Sequence, residues 1–170
     1  MPFLQLIAIH SRFLAADIRA PQKLERLHRD VIVPASLSET FAFFADAANL
    51  ERLTPPWLQF WISTPMPAQM RVGLEIAYRI SLYGFTVPWR SRIDVYQPDV
   101  CFVDQQIVGP YRWWRHEHRF EAVPDGTRVI DRVDYAPRVR WLSGALVRRD
   151  LVRIFDYRQE ALRRIFSGGS

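Results

Sequence analysis

Cysteine occurs once in the 170 residues, at Cys101, which excludes an intrachain disulfide and a cysteine-rich zinc site. Thiol usage this sparse fits a reducing, cytoplasmic setting. No window approaches the roughly 18 to 20 uninterrupted apolar residues that a membrane span needs. The run FLQLIAIHSRFL near the start is broken by Gln5, His10 and Arg12 and has no basic segment before it. Neither stable membrane insertion nor a secretory leader is therefore expected. Also missing are a glycine-rich phosphate loop, a G-x-S-x-G elbow and an H-E-x-x-H pair, so the commonest phosphate, serine-nucleophile and zinc-protease signatures are excluded.

What is present is apolar mass: 49% of residues are hydrophobic and 14% aromatic, enough to close one sizeable core in a chain too short for two ordinary domains. The formal charge is +5, but the basic residues, nearly all arginine, are spread among acidic ones. A nucleic-acid footprint would be concentrated, so no nucleic-acid partner is expected.

Residues 1 to 22 are hard to assign and are expected to form an added helix or mobile arm, with residues 23 to 170 as the domain. LHRDVIVPAS suits a first strand ending at Pro34. Ser36 or Ser38 offers an N-cap, and Glu39 stands three residues after Ser36 as in a capping box. Phe41, Phe44 and Ala45 follow at helical spacing, and a second short helix, 49 to 53, stops at Pro55-Pro56. Proline and glycine then divide the chain into alternating blocks that predict strands at 57 to 64, 73 to 83, 86 to 97, 100 to 108, 111 to 123 and 127 to 137. In the last segment, 141 to 166, Val147, Leu151, Ile154, Phe155, Leu162 and Ile165 recur at steps of three and four. Arg148, Arg149, Arg153, Asp156, Glu160, Arg163 and Arg164 fall on the other faces, so a long amphipathic helix is predicted. A curved antiparallel sheet supplies the surface it needs, giving an α+β architecture.

The apolar sheet face carries polar intrusions. In YRWWRHEHRFEAV, Trp114, His116, His118 and Phe120 share one face and Arg115, Glu117 and Arg119 the other. Neighbouring strands place Tyr78; Trp89, Ser91, Ile93 and Val95; Phe102, Asp104 and Gln106; and Asp131, Val133 and Tyr135 on the same side. A tight turn at Gly109-Pro110 sets Asp104 opposite His116 and Gln106 opposite Trp114. A turn centred on Asp125-Gly126 sets Asp131 near Phe120 and Val133 near His118. Unpaired buried carboxylates are heavily penalised. The group is thus either an internally satisfied network or the polar end of a pocket whose walls could include Trp57, Phe60, Trp61, Tyr78, Trp89, Trp113 and Trp114. His116, His118 and Asp104 are also donor types that zinc or iron accepts, although no resident metal is expected. Cys101 is out of phase with Phe102 and Asp104, so a thiol nucleophile is not expected.

The segments FxxFADAANLERLTPPWLQFWI (residues 41 to 62), FVDQQIVGPYRWWRHEHRF (102 to 120) and GTRVIDRVDY (126 to 135) resemble the START/SRPBCC superfamily, in particular its bacterial polyketide cyclase/dehydrase-like branch. The resemblance spans about residues 27 to 166. It implies the helix-grip fold: a curved seven-stranded antiparallel sheet wrapped around a long C-terminal helix, with two short helices after the first strand. It also implies a cavity for a hydrophobic small molecule such as a lipid, polyketide or quinone. No cofactor is implied, and some relatives carry a fused epimerase-like domain. The residues expected to line the cavity are Tyr78, Trp89, Trp114, Phe120, Tyr135, Ile154 and Phe155, with His116, His118, Asp104, Gln106 and Asp131 as polar contacts. Binding is the preferred reading. The rivals are an aldol-type cyclase or dehydratase, with His116 or His118 as base oriented by Asp104, and a regulatory module that docks a protein partner.

Overall fold

The computed structural model describes residues 20–65, 70–138 and 144–168. Strand β1 (Glu25–Val33) leads into helix α1 (Leu37–Ala45), a 3-10 turn (Ala47–Asn49), helix α2 (Leu50–Leu53) and a second 3-10 turn (Pro56–Leu58). Strands β2 (Trp61–Ile62), β3 (Glu75–Leu82), β4 (Phe85–Gln97), β5 (Cys101–Val108), β6 (Tyr111–Val123) and β7 (Gly126–Pro137) follow, and helix α3 (Gly144–Ser167) closes the described chain. The sheet order is β1-β7-β6-β5-β4-β3-β2 with every neighbour antiparallel. This is the seven-stranded helix-grip arrangement expected. The proposed N-terminal arm lies outside the described residues except for its last positions.

Local chemistry explains the element ends. The Ser36 side chain accepts from the Glu39 N–H, and the Glu39 carboxylate accepts from the Ser36 N–H and hydroxyl, so two orphan donors of α1 are satisfied. Tyr83 and Gly84, at φ 53° and 81°, form the two-residue turn that joins β3 to β4, and the Tyr83 hydroxyl donates to Asp150 on α3.

Three expectations are corrected. The strand predicted at 57 to 64 shrinks to Trp61–Ile62, because Pro55 and Pro56 start a 3-10 turn that continues through Leu58 and Gln59 turns left-handed at φ 44°. Val95 does not share the inner face of Trp89, Ser91 and Ile93. A bulge between Ile93 and Val95 reverses the phase, so Tyr96 pairs with Phe102 and packs on Phe41 inside. Last, the β6–β7 turn is centred on Pro124-Asp125, with Val123 paired to Gly126. That register sets Asp131 opposite His118 and Val133 opposite His116, two residues from the expected pairing.

The concave face carries two apolar clusters. Phe41, Phe44, Ile93, Phe102, Phe120 and Leu162 form one, beneath α1 and the C-terminal half of α3. Trp89, Trp114, Val133, Tyr135, Leu151 and Phe155 belong to the other, beneath the first half of α3. Burial of aromatic side chains this large supplies most of the folding drive.

Candidate functional site

Between the two clusters lies a cavity of about 170 Å³. Its walls come from β3 to β6, from the α1–α2 region and from α3, and they are mostly apolar. Tyr78 stacks on Trp89 with ring centroids 5.7 Å apart, and Trp89 stands edge-on to Trp114 at 5.2 Å. Ile154 and Phe155 close the helix side.

Polar groups enter from adjacent strands. Period-2 alternation on β6 aims His116 and His118 inward, one pleat apart, with ring centroids 3.7 Å apart. Asp104 on β5 pairs across from His116 as expected, and β7 brings Asp131 across from His118. His116 Nε2 lies 2.9 Å from Asp131 Oδ1, and His118 Nε2 lies 3.2 Å from Asp104 Oδ2. Ser91 donates to Asp104 Oδ1 at 3.0 Å and itself accepts from the Trp89 indole N–H. Arg158, from α3, donates through Nε to Asp131 Oδ2 at 3.1 Å, and a second guanidinium nitrogen is 3.2 Å from His118 Nδ1. The Arg158 guanidinium also covers the Phe44 ring at 5.1 Å.

The electrostatics follow from this crowding. Burial alone would raise the Asp131 pKa, but the charge of Arg158 and the hydrogen bonds from both histidines hold it well below the ordinary carboxylate value. Burial opposes ionisation of Asp104 too, and His118, His116 and Ser91 outweigh it, so that carboxyl is also lowered. Burial, with His118 adding to it, lowers His116 to about 4 against the pull of Asp131 and Asp104. Burial, helped by the Asp104 charge, raises the Tyr78 phenol well above its usual value. Two ionised carboxylates and one guanidinium thus leave the cluster with an excess of negative charge when both imidazoles are neutral.

Of the residues singled out from sequence, Tyr78, Trp89, Asp104, Trp114, His116, His118, Ile154 and Phe155 border the cavity. Asp131 stands behind the histidines. Phe120 packs between Phe41 and Phe44 in the neighbouring cluster. Tyr135 is turned to Glu25 through its hydroxyl. Gln106 is fully buried, but its amide donates to the Tyr111 carbonyl and accepts from the Tyr111 N–H, locking the β5–β6 turn. Trp57 and Trp61 are exposed and Trp113 lies outside the lining, so Phe60 is the residue from 57 to 61 in the wall besides Leu58. Sequence reasoning missed Arg158 and Phe44, and it placed Phe102 on the inner face without counting it in the cavity wall. Arg158 follows Leu151, Ile154 and Phe155 at helical spacing, and a charge on the apolar stripe was the signal.

Residues 33–162 match the family of polyketide cyclases, dehydrases and lipid-transport proteins. The chain belongs to that family. With it comes membership of the START/SRPBCC superfamily, which the solved structures support at the level of fold. The family's proteins bind hydrophobic molecules or cyclise them. Zhui aromatase/cyclase from Streptomyces sp. R1128 is 19% identical over 87% of this chain and 99% of its own, with a TM-score of 0.61. Protein Ms6760 from Mycobacterium smegmatis is 12% identical over 92% and 99%, with a TM-score of 0.66. Major latex-like protein 151 from Panax ginseng is 9% identical over 84% and 97%, with a TM-score of 0.64. No curated protein matches the chain by sequence. No helix among the described residues is long and apolar enough to cross a membrane.

Proposed function

We propose that this protein binds a hydrophobic small molecule in the cavity between sheet and α3, with a carbonyl or hydroxyl of that molecule held by His118, Asp104 and Arg158. The observation that carries this reading is a buried, hydrogen-bonded polar cluster bordering an otherwise apolar cavity, the usual make-up of a small-molecule site. The cavity is close in size to the ~150 Å³ apolar cavity that accepts benzene. A single aromatic ring or short isoprenoid segment therefore fits without rearrangement.

Native mass spectrometry of protein purified from its own host tests the reading. A bound apolar compound is the expected result. His118→Leu should change which compound is retained while the melting temperature moves little. A variant that unfolds, with the wild type retaining nothing, would reduce the cluster to an internal strut. The second reading, an aldol-type cyclase or dehydratase, draws support from the family and from the 3.2 Å contact of His118 with Asp104. Turnover of a polyketone with a bell-shaped pH profile that His118→Leu abolishes would favour it, and no turnover of any polyketone would remove it.

A further inference from the structure

We propose that Asp104, His116 and His118 form a binding site for one divalent first-row transition ion, with Asp131 and Arg158 as its outer shell. Each of the three offers one donor atom, and all three atoms lie within 4.8 Å of one another. His118 Nε2 and His116 Nδ1 are 3.2 and 3.8 Å from Asp104 Oδ2. An ion bound at about 2.1 Å sets neighbouring donors roughly 3.0 to 3.4 Å apart, so the two histidine–Asp104 spacings need adjustments of only a few tenths of an ångström. The two imidazole donors, within 4.8 Å of each other, close up by side-chain rotation.

The outer shell makes the cluster more than a chance gathering. Asp131 Oδ1 lies 2.9 Å from His116 Nε2 and 3.1 Å from His118 Nδ1, the ring nitrogens opposite to the two donors. With an ion bound, one carboxylate oxygen would accept a hydrogen from both rings, which turns both remaining lone pairs toward Asp104. Arg158 grips the other oxygen of Asp131 at 3.1 Å and keeps it aimed. Without an ion, His118 carries its hydrogen on Nε2, donates to Asp104 and accepts from Arg158 at Nδ1. Loading moves that hydrogen to Nδ1, where Asp131 accepts it and the Arg158 donation to that nitrogen is given up, Arg158 keeping its bond to the other oxygen of Asp131. The ladder β5-β6-β7 fixes the three backbones. Two carboxylates against one guanidinium leave a negative excess that a divalent cation offsets. Two imidazoles and a carboxylate favour zinc or iron(II) over magnesium or calcium, and leave coordination positions free on the cavity side for a ligand's oxygen atoms.

Full-length protein stripped with a chelator and titrated with Zn²⁺ by calorimetry, and with Co²⁺ by absorbance, tests the proposal. Expected are one equivalent of each ion and visible Co²⁺ bands. Asp104→Asn and His118→Gln should each abolish tight binding, and Asp131→Asn should weaken it about 10- to 100-fold without changing the stoichiometry. Should those variants fail to fold, proton NMR of the Co²⁺-loaded wild type decides, since two shifted, exchangeable imidazole N–H signals are required. No saturable binding by wild type, the absence of those two signals, or equal binding by a folded His116→Gln/His118→Gln variant would overturn the site. None of these outcomes depends on whether an apolar ligand is found.

Discussion

His116 is held near a pKa of about 4 by burial and by His118, while in an unfolded chain its ring titrates near about 6.5. A depressed pKa in the folded state means that the unfolded chain takes up the proton first. The stability contributed by the neutral ring is therefore fully present above about pH 6.5 and is lost as pH falls toward 4. The lowered carboxyls of Asp104 and Asp131 add a further loss below their ordinary titration range. Urea unfolding in chelator should show stability falling by up to ~3 kcal/mol between pH 7 and pH 4, and His116→Phe should flatten that slope. A flat wild-type profile would show that the folded ring takes up its proton over the same pH range as the unfolded one.

Arg158 shows why the site was only partly legible at this scale. Leu151, Ile154 and Phe155 fix the buried stripe of α3, and Arg158 continues it, yet an arginine in a helix of many arginines reads as solvated. Its partner Asp131 sits 27 positions away on strand β7, and that pairing exists only once α3 lies on the sheet. Gln106 was misread for the converse reason: phase placed it correctly inside, but phase carries no information on a backbone partner such as Tyr111.

For the elements, alternation was sufficient where a strand obeys it without interruption. The limits of β6 and most of β4, β5 and β7 follow from period 2. Bulges break the rule invisibly, as at Val95, and a turn's centre can be misjudged by one residue, which moves the register by two. Gly126 illustrates the second case. It opens β7 at φ 130°, and a Cβ there would fall 2.1 Å from the carbonyl oxygen of Val33. The glycine thus answers to the close approach of β1, outside the turn's central pair. Gly126→Ala should cost more than ~2 kcal/mol, because backbone would have to move. Gly84→Ala should cost about 1 kcal/mol, since nothing lies within 4 Å and only the positive φ of 81° is penalised. Equal losses in chemical denaturation would contradict the contact with Val33.

Across the whole molecule, the layered fold and the choice of one long helix were legible because a 24-residue amphipathic helix needs a concave partner. The cavity was not, since the same aromatic content could have packed solid. Filling it is the corresponding test. Ile154→Trp should leave the thermal midpoint within a few degrees and abolish uptake of an apolar fluorescent probe, read by titration. Undiminished uptake would place the probe elsewhere on the protein.

Strand β1 finds its partner in β7, and Arg26 and Asp134, which bridge the two, stand 108 positions apart. On the ribosome the first-made strand must therefore wait for the last before its hydrogen-bonding edge is covered. Such a long-range closure slows folding and leaves two open edges in any chain stalled before residue 126. Nascent copies should thus be the state most exposed to chaperone capture and aggregation.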